Sequence, residues 1–256
     1  MIMEYSYRFA NPLLIIFLTL SLLVTGCGPE DSGEVNSIAT TDANVSTSVD
    51  DTAQDDLDTV KVNGLDATEA SHLTFMREEE KLARDVYLTL TDLYPDQQVF
   101  RQIATRSEQT HTDTMRDKLD QFNLPDPNPG TNQIPSSIGV FTGDEWGWYF
   151  TEKFTLLVAK GEVSELDALY VGAYIEELDM YDIVICPQVM IDRGFPSPCG
   201  LKYTDERSLQ TAYSALVSGS ESHLRAYVGQ IEAFIGVGNY EAQYITQAEV
   251  DAILGR

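Results

Sequence analysis

The chain has 256 residues, 43% of them hydrophobic and 10% aromatic, enough for a sizeable core in one or two domains. Lys and Arg number 16 against 41 Asp and Glu, a formal charge of −25. That balance argues against a nucleic-acid partner and against electrostatic attachment to an anionic membrane surface.

The first stretch reads as a targeting segment. From Pro12 to Val24 the chain is almost wholly apolar, the length of a signal-peptide core and too short to span a bilayer. It ends Leu22-Leu23-Val24-Thr25-Gly26-Cys27, which resembles a bacterial lipobox. The expectation is a lipoprotein signal peptide over residues 1–26, lipidation of Cys27, and a place in the bacterial cell envelope, at the outer membrane or an extracytoplasmic face. Gly28 offers nothing that argues for retention at an inner membrane. Residues 27–64 are rich in Ser, Thr, Asp and Asn and lack aromatics, so they read as a disordered acidic tether.

Residues 65–256 read as the folded domain. A long helix is expected over residues 65–93, with Thr68 as its cap and Pro95 closing the segment. Leu73, Met76, Leu82, Val86, Tyr87 and Leu90 form its apolar stripe. Glu78, Lys81 and Asp85 point away from that stripe. Of the paired Glu79 and Glu80, Glu79 lies nearer its centre. A second helix over residues 96–122 has Phe100, Ile103, Ala104, Met115, Leu119 and Phe122 on one face, with Glu108 and His111 in the gap. A Glu and a His three apart share a helix face, and burying both without a partner is costly. A metal ion is the partner that would make this favourable.

The Pro-rich stretch after Leu124 suits a long crossover. A short aromatic helix follows, capped by Thr142, running through Trp146, Trp148 and Phe150 to Gly161, and expected to be a packing plug. Ser164 to Asp167 resembles a capping box for a third long helix, which carries Glu176 on its stripe and Glu177 off it. Cys186 and Cys199 remain once Cys27 is lipidated, and a disulfide is expected in an oxidising compartment. A fourth long helix over residues 204–235 carries His223 on its stripe, with Ser220 three residues before it. A short C-terminal helix capped at Thr246 is expected to lid the bundle end. His72 reads as a surface or edge histidine.

Four long helices thus each place an ionisable group in a core stripe: Glu79 or Glu80, Glu108 with His111, Glu176, and His223. This is the ligand plan of carboxylate-bridged di-iron bundles, where two helices give a Glu and two give Glu-x-x-His. Oxygen and imidazole ligands suit iron or manganese.

The phrases Met76-Arg-Glu-Glu-Glu-Lys-Leu-Ala-Arg-Asp-Val-Tyr87, Ser107-Glu-Gln-Thr-His111, Ile175-Glu-Glu-Leu-Asp179 and Gly219-Ser-Glu-Ser-His-Leu-Arg225 carry a resemblance. From about residue 65 onward the chain resembles the ferritin-like superfamily, and within it an exported bacterial domain-of-unknown-function family, DUF2202-like. The resemblance implies an all-α, ferritin-like four-helix bundle with a long crossover connection, one extra short helix and a C-terminal short helix. It selects Glu80 over Glu79, because Tyr87 follows seven residues later, and it matches Glu176 to the bridging Glu of the third helix. The implied metal ligands are Glu80, Glu108, His111, Glu176 and His223, for one or two ions of iron or manganese. Ser220 departs from the pattern, since that position is a Glu in ferritins. Two functions follow: a lipid-anchored protein doing redox work on peroxide, oxygen or metal, or a non-catalytic envelope module with a degenerate or empty site.

Overall fold

The computed structural model describes residues 60–130 and 136–256. The expected signal peptide, Cys27 and the tether through residue 59 lie outside the described residues. Among those described, all regular structure is helical, preceded by an isolated bridge between Val62 and Leu65.

Helix α1 spans Ala67–Leu93. Its cap is Asp66, not Thr68: the Asp66 carboxylate accepts Glu69 N at 2.8 Å and Glu69 Oε2 returns to Asp66 N at 3.0 Å. That reciprocal pair satisfies two orphan donors, and Asp does the work of the usual Ser or Thr. The next helical stretch is continuous but not uniform. It consists of α2 (Gln98–Gln102), a π-helical segment (Ile103–Glu108) and α3 (Gln109–Gln121). Helix α4 spans Gly147–Gly161 and α5 spans Glu165–Val184. Then come the short α6 (Gln188–Asp192), the long α7 (Arg207–Ile235) and α8 (Gln247–Leu254).

Helix α1 packs against α3, the π segment, α4 and α5, while α5 packs against α7 and α4, and α3 meets α7. Two helices, α1 and α5, are therefore interior. This corrects the expectation that Glu78, Lys81 and Asp85 face outward, for all three are fully buried. The crossover covers them. Asn128 donates to Glu78 Oε1 at 3.1 Å, Lys81 donates to the Ser137 carbonyl at 2.9 Å, and Gly139 N donates to Asp85 Oδ2 at 2.9 Å. Lys81 also pairs with Asp85, which in turn receives Arg84 Nε at 2.9 Å. Buried charges persist only when paired in this way.

Thr142 does not cap α4; its hydroxyl donates to the Pro127 carbonyl at 2.9 Å and ties the crossover to itself. The aromatic plug is as expected, with Trp146 and Phe150 packed on Phe75 at ring distances of 5.4 and 4.8 Å. Ser164 caps α5 by accepting Asp167 N at 3.1 Å.

Cys186 and Cys199 are disulfide-bonded, with Cα atoms 5.0 Å apart, and enclose α6. Closing a loop of that length stabilises the fold by about 3 kcal/mol in the chain-entropy account. The loop then returns tightly onto α5 at Gly200, where a Cβ would lie 2.1 Å from the Ile183 carbonyl oxygen.

Helix α8 packs on α7, where Arg225 Nε donates to the Ile253 carbonyl at 2.8 Å. The segment leading to it is held by Glu177, which is fully buried. Its Oε2 accepts the backbone N–H groups of Gln243, Tyr244 and Ile245 at 2.8, 2.6 and 3.1 Å, and its Oε1 accepts the Tyr240 hydroxyl at 2.7 Å.

Candidate metal centre

The five expected ligands come together. Glu80 is presented by α1, Glu108 by the last residue of the π segment, His111 by the first turn of α3, Glu176 by α5 and His223 by α7. All are buried. They form two triads with one shared member: Glu80, Glu108 and His111 on one side, Glu108, Glu176 and His223 on the other. Within each triad the candidate ligand atoms lie within 4.8 Å of one another.

Glu108 is the hinge of the arrangement. Its Oε2 lies 3.4 Å from His111 Nδ1 and its Oε1 lies 2.8 Å from His223 Nδ1. His111 Nδ1 also lies 3.2 Å from Glu80 Oε2, and His223 Nδ1 lies 3.2 Å from Glu176 Oε2. The two imidazole rings sit 5.5 Å apart at 31°. Each histidine therefore turns Nδ1 toward two carboxylates, one its own and one shared.

The π segment sits where this geometry is set. A π turn admits one extra residue into a helix, and such turns recur at functional sites. Here it ends on Glu108, which lies three residues before His111.

Two neighbours position the ligands from outside. The Tyr87 hydroxyl donates to Glu176 Oε1 at 2.6 Å, leaving Oε2 for His223. Gly219 on α7 lies under His111: a Cβ there would stand 2.6 Å from both Cε1 and Nε2 of the ring. Helix α7 can approach α3 this closely only because that side chain is missing.

The electrostatics show a demand for positive charge. Burial is the largest single influence on His111 and pushes its pKa down, but Glu108 and Glu80 outweigh it and lift the group to about 12. Burial is likewise outweighed at His223 by Glu176 and Glu108, and the group rises to about 10. Glu108 is held well below the usual carboxylate range because both histidines overcome its burial. Burial raises Glu80 to about 7 and raises Glu176 as well. In metal-free protein two imidazolium ions thus supply the charge that the buried carboxylates need. Glu80 Oε1 still makes no hydrogen bond. Three carboxylates and two imidazoles so arranged fit a pair of cations with oxygen and nitrogen preferences.

Glu79, which helical periodicity favours, is buried but faces elsewhere. It shares a hydrogen bond with Asp182. Burial raises both Glu79 and Asp182, the latter to about 8. His72 is neither exposed nor part of the centre. It is 1% exposed, and it bridges Tyr213 and the Asp182 carbonyl.

The profile of a family described as an uncharacterized protein domain (DUF2202) matches residues 69–256. The chain belongs to the DUF2202 family. The matched span includes every residue of the two triads. Uncharacterized protein MJ0754 of Methanocaldococcus jannaschii is 40% identical over 186 residues, covering 73% of this chain and 86% of the relative. The crystal structure of hypothetical protein MJ0754 from Methanococcus jannaschii DSM 2661 superposes with a TM-score of 0.58 at 38% identity. It covers 73% of this chain and 91% of that one. This relative is archaeal, whereas the resemblance pointed to bacterial proteins.

Proposed function

We propose that this DUF2202 chain is an exported, lipid-anchored, ferritin-like four-helix protein whose buried carboxylate–histidine centre holds iron or manganese and handles peroxide, oxygen or the metal itself by redox chemistry. The observation that carries the reading is Glu108, whose two oxygens each face one histidine while Glu80 and Glu176 flank them. The ligand order along the chain supports the ferritin-like assignment: Glu, then Glu-x-x-His, then Glu, then His, on four long helical stretches. Bound metal of this kind would supply redox chemistry and Lewis acidity. Glu80, Glu108 and His111 would hold one ion, and Glu108, Glu176 and His223 the other. Tyr87 orients Glu176, Gly219 makes room for His111, and the surrounding core keeps water from the carboxylates. The lipid-anchor part rests on Val24-Thr25-Gly26-Cys27 following an apolar run.

Ser220 favours the second reading, a ferritin-like module with an empty site, because it removes a carboxylate from α7. Metal analysis separates the two. Full-length protein purified without chelators should carry iron or manganese, and Mn(II) should raise the thermal midpoint of the stripped protein by mass action. His111→Ala should abolish that rise. Wild-type protein without metal and without a shift supports the empty-site reading instead.

A further inference from the structure

Ser220 on α7 is buried at 1% exposure. Its hydroxyl lies 2.5 Å from Asp179 Oδ2 and 3.1 Å from the Leu216 carbonyl. A hydroxyl has one proton, and the shorter contact is the charge-assisted one. Asp179 stands on α5 three residues after Glu176, so the two carboxylates share a helix face. It is 5% exposed, and its Oδ1 makes no hydrogen bond. Asp179 interacts electrostatically with Glu80, Glu176 and Glu108, most strongly with Glu80.

We propose that Asp179 is the carboxylate that completes the metal centre, entering from α5 where a Glu on α7 would otherwise stand, with Ser220 as the residue that positions it. The inference rests on the metal-binding reading above and assigns it a sixth ligand. Here one oxygen of Asp179 is tied down by Ser220 while the other makes no hydrogen bond, and Asp179 stands one helical turn from Glu176 and opposite the residue that precedes His223 by one turn, an arrangement that favours a cation. The charges also balance: Glu80, Glu108, Glu176 and Asp179 carry four negative charges, which two divalent ions neutralise when both histidines are neutral ligands. Ser at position 220 is then the residue that Asp179 requires. A Glu there would compete for the same space, whereas a short hydroxyl fills it and donates.

The test is Mn(II) loading of stripped full-length protein, read by metal stoichiometry and by electron paramagnetic resonance. Wild type should take two ions and show the spectrum of a coupled pair. Asp179→Asn should keep one ion, weaken the second at least tenfold and show the hyperfine pattern of isolated Mn(II). Ser220→Ala should weaken the second ion several-fold, and Ser220→Thr, which keeps the hydroxyl, should restore it. Asp179→Ser combined with Ser220→Glu moves the carboxylate back to α7 and should recover two ions. If Asp179→Asn binds two ions with wild-type affinity, the Asp179 assignment falls while the metal-binding reading stands. If wild type binds none, both fall. Should Asp179→Asn fail to fold, Ser220→Ala decides: unchanged affinity for the second ion overturns the proposal.

Discussion

His72 donates from Nε2 to the Asp182 carbonyl and accepts the Tyr213 hydroxyl at Nδ1, which fixes the ring in its neutral form. Burial lowers its pKa to about 4. The unfolded chain therefore takes up a proton near pH 6.5 that the folded one refuses until about pH 4. Stability from this residue is complete above pH 6.5 and is lost as pH falls toward 4, about 3 kcal/mol in all. Chemical denaturation of wild type and His72→Gln between pH 7 and 4 measures it. Wild type should lose about 3 kcal/mol more than the variant, and parallel pH profiles would refute the assignment. Gly219 is a second single-residue determinant. Gly219→Ala forces the His111 ring to move, since its Cβ would meet that ring at 2.6 Å. Mn(II) affinity should fall by about tenfold or more, which is about 1.4 kcal/mol, with the fold retained. Unchanged affinity would show that His111 is not a ligand. Neither role was legible beforehand. A lone His and a helical Gly carry no local signal of what lies across the interface, and His72 read as a surface residue for that reason.

At the scale of elements, the helices themselves were legible because their apolar stripes and punctuating Pro and Gly residues are strong signals. Their surroundings were not. Periodicity assumes one buried face, and α1 and α5 are buried nearly all round. Glu78, Lys81 and Asp85 look like a solvated face in sequence, yet the crossover gives each of them a long-range partner. The same blindness explains why the stripe favoured Glu79, and why the resemblance was needed to reach Glu80. The π segment also left no mark, since no residue type demands an extra helical residue. Asp179 did leave one: it follows Glu176 at the same three-residue spacing as Glu108 and His111. Glu177, which lies off the stripe, proves to be the latch of the C-terminal segment. Glu177→Ala removes an acceptor from three backbone N–H groups and from Tyr240, at a cost of roughly 3 kcal/mol. Limited proteolysis should then cut between residues 236 and 246 before it cuts elsewhere. Wild-type protection of that segment in the variant would rule the latch out.

For the whole molecule, the acidic balance and the candidate anchor have to be considered together. A chain of charge −25 is repelled by an anionic bilayer, so any membrane attachment must come from apolar contact rather than from charge. Among the described residues no helix is long and apolar enough to cross a membrane. The proposed function routes attachment through the N-terminal apolar run with Cys27, which would make it a property of one residue and separable from the candidate metal centre. Full-length wild type should therefore sediment with membranes, stay there in roughly 1 M salt, where surface charge is screened within about 3 Å, and leave on addition of detergent. Cys27→Ser should either appear in the soluble fraction or accumulate unprocessed at higher mass. Its metal content, where it folds, should match that of wild type, because none of the ligands lies near residue 27 in sequence. Release of wild type by salt alone would mean that the contact is electrostatic, against the charge argument. A Cys27→Ser variant that matures and fractionates like wild type would remove the lipid anchor from the account and leave the centre untouched.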